Sequence, residues 1–198
     1  MTSGFATLEG TKKFVSNSGI TPLNFKQIQN LFLSNVGIGT YLGEANEKTD
    51  ILVKNAVKQS VLSGINVIDT AINYRAQKAE RSVGKAISEL IDEGKISRDQ
   101  IFISSKNGYV TNDADVKQDF WEYVKNEYVQ KGVVNEGDIT SGYHCMTTAY
   151  LDDQLNRSLK NLGLDCIDLM YLHNAVEGQI KDVSNEKFLQ NLKDVFAL

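Results

Sequence analysis

Four side chains that can carry a charge or transfer a proton stand at the ends of apolar runs in this sequence. Asp69 lies in the run INVIDT, Lys106 follows IFISS, and His173 follows CIDLMYL. Tyr74 lies five residues beyond Asp69. Each alone has an ordinary structural explanation, such as an aspartate that caps a turn or a tyrosine at the edge of a core. Together they are residue types that perform general acid–base catalysis.

The apolar runs alternate with segments that have helical periodicity. Strands are predicted over residues 36–40, 65–70, 101–105 and 166–172, and helices over 48–62, 80–91, 150–162 and from 185 onward. The buried faces of the first two helices are predicted to hold Leu52, Val53, Ala56, Val57 and Val61, and Val83, Ala86, Ile87 and Leu90. Residues 25–34 have the pattern of a hairpin, and the polar segment before them predicts no element.

Four strand–helix units with mostly apolar strands indicate a parallel sheet covered by helices. A doubly wound sheet and a (β/α)8 TIM barrel share this pattern. Asp69, Lys106 and His173 fall at the carboxyl ends of three different strands, with Tyr74 in the loop after one of them. Barrels assemble their active sites from several strand ends at that edge, so we predict an α/β fold of the barrel type.

One connection, over residues 107–147, is unusually long. It carries many aromatic residues, namely Tyr109, Phe120, Trp121, Tyr123, Tyr128 and Tyr143. Because a solvated linker would not hold so many aromatic side chains, we expect an ordered insertion over the barrel mouth. Residues 120–130 can form a helix within it, and His144 is expected to be structural or exposed.

Four segments, in order along residues 25–174, resemble the aldo-keto reductase superfamily. They read GIGTYLG, GINVIDTAINYRAQKAERSVGKAI, IFISSKNGY and SLKNLGLDCIDLMYLHN. The chain is most similar to a subgroup with a long insertion before the third barrel helix, a His-Cys pair ahead of that helix and Leu-His-Asn after the fourth strand. The resemblance implies the N-terminal half of a (β/α)8 barrel, with about the first four βα units present.

The resemblance implies catalytic roles for Asp69, Tyr74, Lys106 and His173. It implies NAD(P)H-dependent, reversible reduction of an aldehyde or ketone to an alcohol, with hydride from the nicotinamide and the proton from Tyr74. Lys106 would stabilise the phenolate left behind, and Asp69 would supply the counter-charge of Lys106. His173 would hydrogen-bond the substrate carbonyl and orient it.

The resemblance also implies cofactor contacts from Gly39, Thr40, Tyr41 and Asp69, with NADP(H) expected first and NAD(H) second. The substrate would meet Tyr41, Tyr74, His173 and Asn174. GIGTYLG does not match a dinucleotide-binding Rossmann loop, because Leu42 occupies the position of its third glycine.

Charge and composition limit the kinds of partner that the sequence predicts. The net charge is −4 and no basic run stands out, so we expect a small-molecule carbonyl substrate and no nucleic acid. No apolar run approaches the ~20 residues of a membrane span, and no secretory signal is visible, so a cytoplasmic location is expected. Cys145 and Cys166 predict neither a disulfide framework nor a metal site.

Two other functions fit the same residues. Some relatives are non-catalytic, cofactor-sensing regulatory subunits of ion channels that keep the four site residues. A different barrel enzyme would use Lys106 as a Schiff-base nucleophile, which requires that no carboxylate pair tightly with it. Residues 1–198 are expected to form a single domain that is truncated within its fourth helix and inactive when made alone.

Overall fold

The computed structural model describes residues 1–197. Its strands are β1 (Phe25–Ile28), β2 (Leu31–Ser34), β3 (Ile38–Gly39), β4 (Val67–Asp69), β5 (Phe102–Asn107) and β6 (Leu169–Leu172). Its α-helices are α1 (Leu8–Asn17), α2 (Glu47–Leu62), α3 (Lys78–Asp92), α4 (Phe120–Val124), α5 (Thr148–Leu162), α6 (Ala175–Gln179) and α7 (Asn185–Val195).

The predicted strand–helix repetition is confirmed. Strands β3, β4, β5 and β6 form one parallel sheet in that order, and α2, α3 and α5 connect successive strands. Gly163 ends α5 in the left-handed conformation that a helix C-terminus favours. The predicted hairpin forms separately: β1 and β2 pair antiparallel around Gln29 and Asn30, both at positive φ, as in a type I′ turn.

The main core lies between the sheet and the helices. Its α3 face is the predicted one, with Val83, Ala86, Ile87 and Leu90 at most 1% exposed. The sheet contributes Ile68 and Ile103, both fully buried. Each of the larger apolar side chains stabilises the fold by about 1.5–3 kcal/mol through burial. This packing fixes the strands whose carboxyl ends carry the polar residues.

The buried face of α2 is narrower than the sequence predicts. Val57 and Val61 are buried, and Val53 packs at the edge of the core. The predictions for Leu52 and Ala56 were wrong, because Leu52 is 59% exposed and Ala56 is also exposed. Asp50 in the first turn of α2 pairs with Arg75, and the buried apolar side chains of the helix are all in its C-terminal half.

An N-terminal helix was not predicted. Helix α1 begins after Thr7, whose hydroxyl accepts a hydrogen bond from Gly10 N. Only Phe14 supplies a large buried apolar side chain. The helix packs by close backbone approach, since a Cβ at Gly10 would overlap the Asp99 carbonyl. Such a contact needs few apolar side chains, so the segment reads as polar in the sequence.

The sheet face opposite the helices carries Asp69, Ser104, Lys106 and Tyr171. Strand register places Ser104 beside Asp69, and Tyr171 beside Lys106. Leu169 and Tyr171 on β6 are 37% and 46% exposed in the described chain. This face is therefore open at the edge where the site residues lie.

The 107–147 segment packs around a second, smaller core, to which α5 also contributes. Helix α4 continues into a π-helical turn over Lys125–Val129, close to the predicted helix over 120–130. Tyr128 and Tyr150 pack ring against ring and are fully buried. The segment returns to the sheet beyond β5, where Val110 N donates to Tyr143 O and Cys145 N donates to Gly108 O. Among the described residues, no helix is long and apolar enough to cross a membrane.

Candidate active site

Asp69 and Lys106 are joined across neighbouring strands. Lys106 Nζ lies 2.6 Å from Asp69 Oδ2 and donates to Thr70 O at 2.8 Å. Ser104 Oγ donates to Asp69 Oδ1 at 3.0 Å. Both carboxylate oxygens therefore have partners, and the ammonium has a fixed position. A lysine held this tightly by a carboxylate does not fit the Schiff-base alternative.

Tyr74 lies against the Lys106 ammonium, which is 4.8 Å from the centroid of the tyrosine ring. Three consecutive residues after it, Arg75, Ala76 and Gln77, have positive φ angles of 51°, 49° and 76°. Each such non-glycine residue costs about 1–3 kcal/mol. This left-handed turn connects β4 to α3 and holds the half-buried Tyr74 beside β5.

Arg75 holds this turn in place through hydrogen bonds of its side chain. Its guanidinium is buried, with Nη1 donating to Asp50 Oδ1 at 2.9 Å and Nη2 donating to Ser82 Oγ at 2.8 Å. These bonds tie the turn to both α2 and α3. They offset part of the strain and keep the tyrosine in place.

His173 continues β6 by one residue, since its backbone N donates to Asn107 O at 2.8 Å. Its ring packs edge-on against Tyr74, with centroids 5.6 Å apart, and Nδ1 lies 3.2 Å from Asn73 Oδ1. Burial lowers the pKa of His173 below its usual value; the positive charge of Lys106 lowers it further, against the opposing effect of Asp69. The imidazole is therefore neutral near pH 7, so only one of its two nitrogens carries a proton that it can donate.

The other predicted site residues differ in how their side chains lie relative to this group. Tyr41 packs edge-on against Tyr74, with centroids 5.0 Å apart, and is 65% exposed. Gly39 pairs with Asp69, and a Cβ at Gly39 would meet nothing within 4 Å. Thr40 is buried; its hydroxyl donates to Asp69 O and contacts Thr70 Oγ1. The Thr40 side chain is thus used to hold Asp69 and does not face the open side.

Asn174 is exposed at φ 47°, and its Nδ2 donates to the Tyr109 hydroxyl at 3.4 Å. A depression of about 410 Å³ opens between the strand ends, lined by Asp69, Lys106, Tyr171, Leu172, His173 and Asn174. A larger cavity of about 530 Å³ lies within the insertion and contains none of the predicted site residues. We place the site in the smaller depression because the Lys106 ammonium and the His173 imidazole line it, and Tyr74 packs against both of these side chains.

The structure adds residues that the sequence did not single out. Tyr109 packs edge-on against His173 at 5.0 Å, and Asn73 faces the Nδ1 atom of the same ring. His144 is buried, which agrees with a structural role. Only its position just before Cys145 distinguished it in the sequence. Among the described residues, no cluster of His, Cys, Asp or Glu can hold a metal ion.

Comparison with known proteins identifies the family. Residues 35–193 match the family model described as the aldo/keto reductase family. The chain therefore belongs to that family. The match contains all the site residues described above, from Gly39 to Asn174.

Individual relatives agree. An uncharacterized oxidoreductase of Bacillus subtilis is 31% identical over 146 residues, which cover 74% of this chain and 38% of that protein. A protein of Schizosaccharomyces pombe named after the β subunit of voltage-gated potassium channels is 30% identical over 153 residues, covering 77% of this chain and 36% of its own length.

A solved aldo-keto reductase complexed with NADPH matches in fold with a TM-score of 0.53 and 21% identity, covering 87% of this chain and 44% of that one. The chain thus spans less than half the length of these relatives. Its four strands and their helices correspond to part of a family barrel, which confirms the predicted fold class.

Proposed function

We propose that the protein catalyses the NAD(P)H-dependent, reversible reduction of an aldehyde or ketone to an alcohol. The observation that carries this proposal is the contact of Tyr74 with the Lys106 ammonium at the strand edge, with Asp69 on the other side of that ammonium. Family membership supports an oxidoreductase. The substrate and the assignment of catalytic roles are our inference.

In the proposed reaction, Tyr74 donates the proton. Its O–H bond breaks, the proton passes to the former carbonyl oxygen, and a phenolate remains beside Lys106. An ammonium beside a phenolate stabilises its negative charge. Asp69 holds that ammonium in position through the 2.6 Å contact. In the reverse direction, the phenolate accepts the proton of the alcohol.

His173 is proposed to orient the substrate. Its ring packs against Tyr74, so an oxygen placed near the phenol also lies near the imidazole. The Asn73 side-chain amide faces Nδ1 and donates to that nitrogen when it is turned by 180°. The single proton of the neutral ring is then on Nε2 and can be donated to the substrate oxygen. Asn174 lines the depression and Tyr41 packs against Tyr74, so both are proposed to contact the rest of the substrate.

The residues at the β3 end fit a nicotinamide cofactor. Gly39 leaves open space beside Asp69, where any larger residue would project a side chain. We propose that Gly39, Tyr41, the Thr40 backbone and Asp69 border the cofactor, with NADP(H) as first choice because a solved relative is complexed with NADPH. The cofactor, when bound, supplies the hydride.

A carbonyl panel tests this proposal. The full-length protein is incubated with NADPH or NADH and a series of aliphatic and aromatic aldehydes and ketones, and cofactor oxidation and alcohol formation are both measured. We expect matched loss of NADPH and gain of alcohol for at least one class. Cofactor binding without turnover of any carbonyl would contradict the proposal.

The similarity to the Schizosaccharomyces pombe protein named after a channel subunit favours one alternative, a non-catalytic subunit that senses the cofactor. The two functions differ in a single measurable respect. A sensor binds the cofactor and returns it unchanged, whereas a reductase consumes it. Because such subunits keep the four site residues, the arrangement around Tyr74 fits both functions, and the carbonyl panel decides between them.

A further inference from the structure

His144, in the insertion, lies at the centre of a contact with the residues that follow β6. It is fully buried, between two glycines. A Cβ at Gly108 would come within 2.5 Å of His144 Nε2, and one at Gly178 within 2.6 Å of His144 Cδ2. The absence of side chains on both sides lets the imidazole fit between the end of β5 and α6.

The hydrogen bonds of the His144 ring indicate which of its two nitrogens carries the proton. The Gln179 side-chain amide donates to His144 Nδ1 at 3.1 Å and to His144 O at 3.4 Å. Because Nδ1 accepts, the proton of the neutral ring is on Nε2. That N–H donates to the backbone carbonyl of His173 at 2.9 Å. Burial lowers the pKa of His144, so the ring is neutral near pH 7.

A second contact reaches His173 through Tyr109. The Tyr109 ring packs edge-on against His144, with centroids 5.3 Å apart, and edge-on against His173 at 5.0 Å. His144 thus contacts the backbone of His173, and Tyr109, which packs against His144, contacts the His173 ring. The next residue, Asn174, turns the chain at φ 47°, and His144 Nε2–H gives the His173 carbonyl ahead of this turn a fixed partner.

We propose that His144 is a positioning residue for His173: it fixes the His173 backbone through its Nε2–H and the His173 ring through Tyr109. The inference rests on the proposed function, because it explains how the insertion contributes to catalysis. Substrate is not in contact with His144 in this account. The insertion is then a part of the active-site framework.

The same loop also holds α6 at a second point. Thr140 Oγ1 donates to Gly178 O at 2.6 Å, and Ser141 contacts Asp182 Oδ2 through both its backbone N and its hydroxyl. The Ser141 contact is exposed and does not touch His173. Ser141→Ala therefore provides a matched control, since it weakens the attachment of the loop without altering the site.

Replacing His144 by glutamine or by asparagine tests the proposal. Gln places its amide N–H near the position of Nε2 and can still reach the His173 carbonyl. Asn is shorter and places its amide near Nδ1, where it leaves that carbonyl without a donor. We expect His144→Asn to lower kcat about tenfold to a hundredfold, since small misplacements have effects of that size. His144→Gln and Ser141→Ala should stay close to wild type, and all three should bind NADPH normally.

A second readout does not depend on activity. The chain has two histidines, so the His173 imidazole resonances are assigned by comparison with a His173→Gln variant and followed by NMR. They should move in His144→Asn and stay in place in His144→Gln and Ser141→Ala. Equal kcat in the Asn and Gln variants, or unchanged His173 resonances in the Asn variant, would overturn the proposal. If wild type reduces no carbonyl but the resonances behave as expected, the proposed function fails and the positioning role stands.

Discussion

Lys106 Nζ lies 2.6 Å from Asp69 Oδ2, across two neighbouring parallel strands. About 40% of the Asp69 side chain is exposed, so the pair is partly screened by water and contributes about 1 kcal/mol or less to stability. Its larger effect is on position. With Thr70 O as a second acceptor, the ammonium is held over the Tyr74 ring.

Replacing Lys106 separates these two effects. Lys106→Met keeps the length of the side chain and removes the charge, so the free energy of unfolding should change little, by about 1 kcal/mol. Carbonyl reduction should fall strongly, because nothing then stabilises the Tyr74 phenolate. Urea denaturation and steady-state kinetics measure the two quantities. A variant that retains wild-type turnover would show that the ammonium is not needed for proton transfer.

The left-handed turn after Tyr74 predicts an unusual order of stabilities at residue 76. Ala76 has φ 49°, which a β-branched residue tolerates worst and glycine best. Ala76→Val should therefore lower the melting temperature, with a loss of about 1–2 kcal/mol, and Ala76→Gly should not lower it. Thermal denaturation of the two variants checks this. A more stable Val variant would contradict the turn geometry.

Asn73 offers a test of the His173 environment. The pKa of His173 is lowered, chiefly by burial, so activity should persist as the pH falls through the ordinary histidine value of about 6.5. Asn73→Asp would place a carboxylate near Nδ1, which lies 3.2 Å from the present amide oxygen. An adjacent negative charge raises a histidine pKa. The acid limb of the kcat/KM profile should therefore move to higher pH, and an unchanged profile would argue against a titrating role of His173.

Burial of His144 also makes stability depend on pH. Its pKa is lowered in the folded state, so below about pH 6.5 the unfolded chain binds more protons than the folded one. The free energy of unfolding therefore falls as the pH drops from about 6.5 toward the folded-state pKa of His144. Above about pH 6.5, His144 does not change the dependence of this free energy on pH. His144→Gln should lose less stability than wild type over this interval in urea denaturation. A constant difference between the two proteins would contradict this prediction.

The sequence predicted those parts of the fold that leave a periodic pattern. The alternation of apolar runs and helical faces predicted the four parallel strands, and the α3 face from Val83 to Leu90 was correct in every residue. The polar residues at the strand ends indicated where a site would lie. Helix α1 was missed because it packs through the backbone at Gly10 and has few apolar side chains.

Contacts between residues distant in sequence could not be predicted in this way. His144 and His173 are 29 residues apart and meet only because a long connection returns to the end of β5. Thr40 appeared to be a cofactor contact, yet its hydroxyl bonds Asp69 O and Thr70 Oγ1. Thr40 follows a strand of only two residues, where such neighbours decide the direction of a side chain and the sequence carries no local signal for it.

Tyr74→Phe tests the central claim most directly. The change removes the hydroxyl that is proposed to donate the proton and leaves the ring that packs against Lys106, Tyr41 and His173. Single-turnover reduction is followed by stopped-flow, and NADPH affinity by fluorescence titration in the same preparation. The account predicts that the rate of reduction falls by at least about a hundredfold, as expected for loss of a general acid, with cofactor affinity unchanged. A rate close to wild type would contradict it, because another group would then supply the proton.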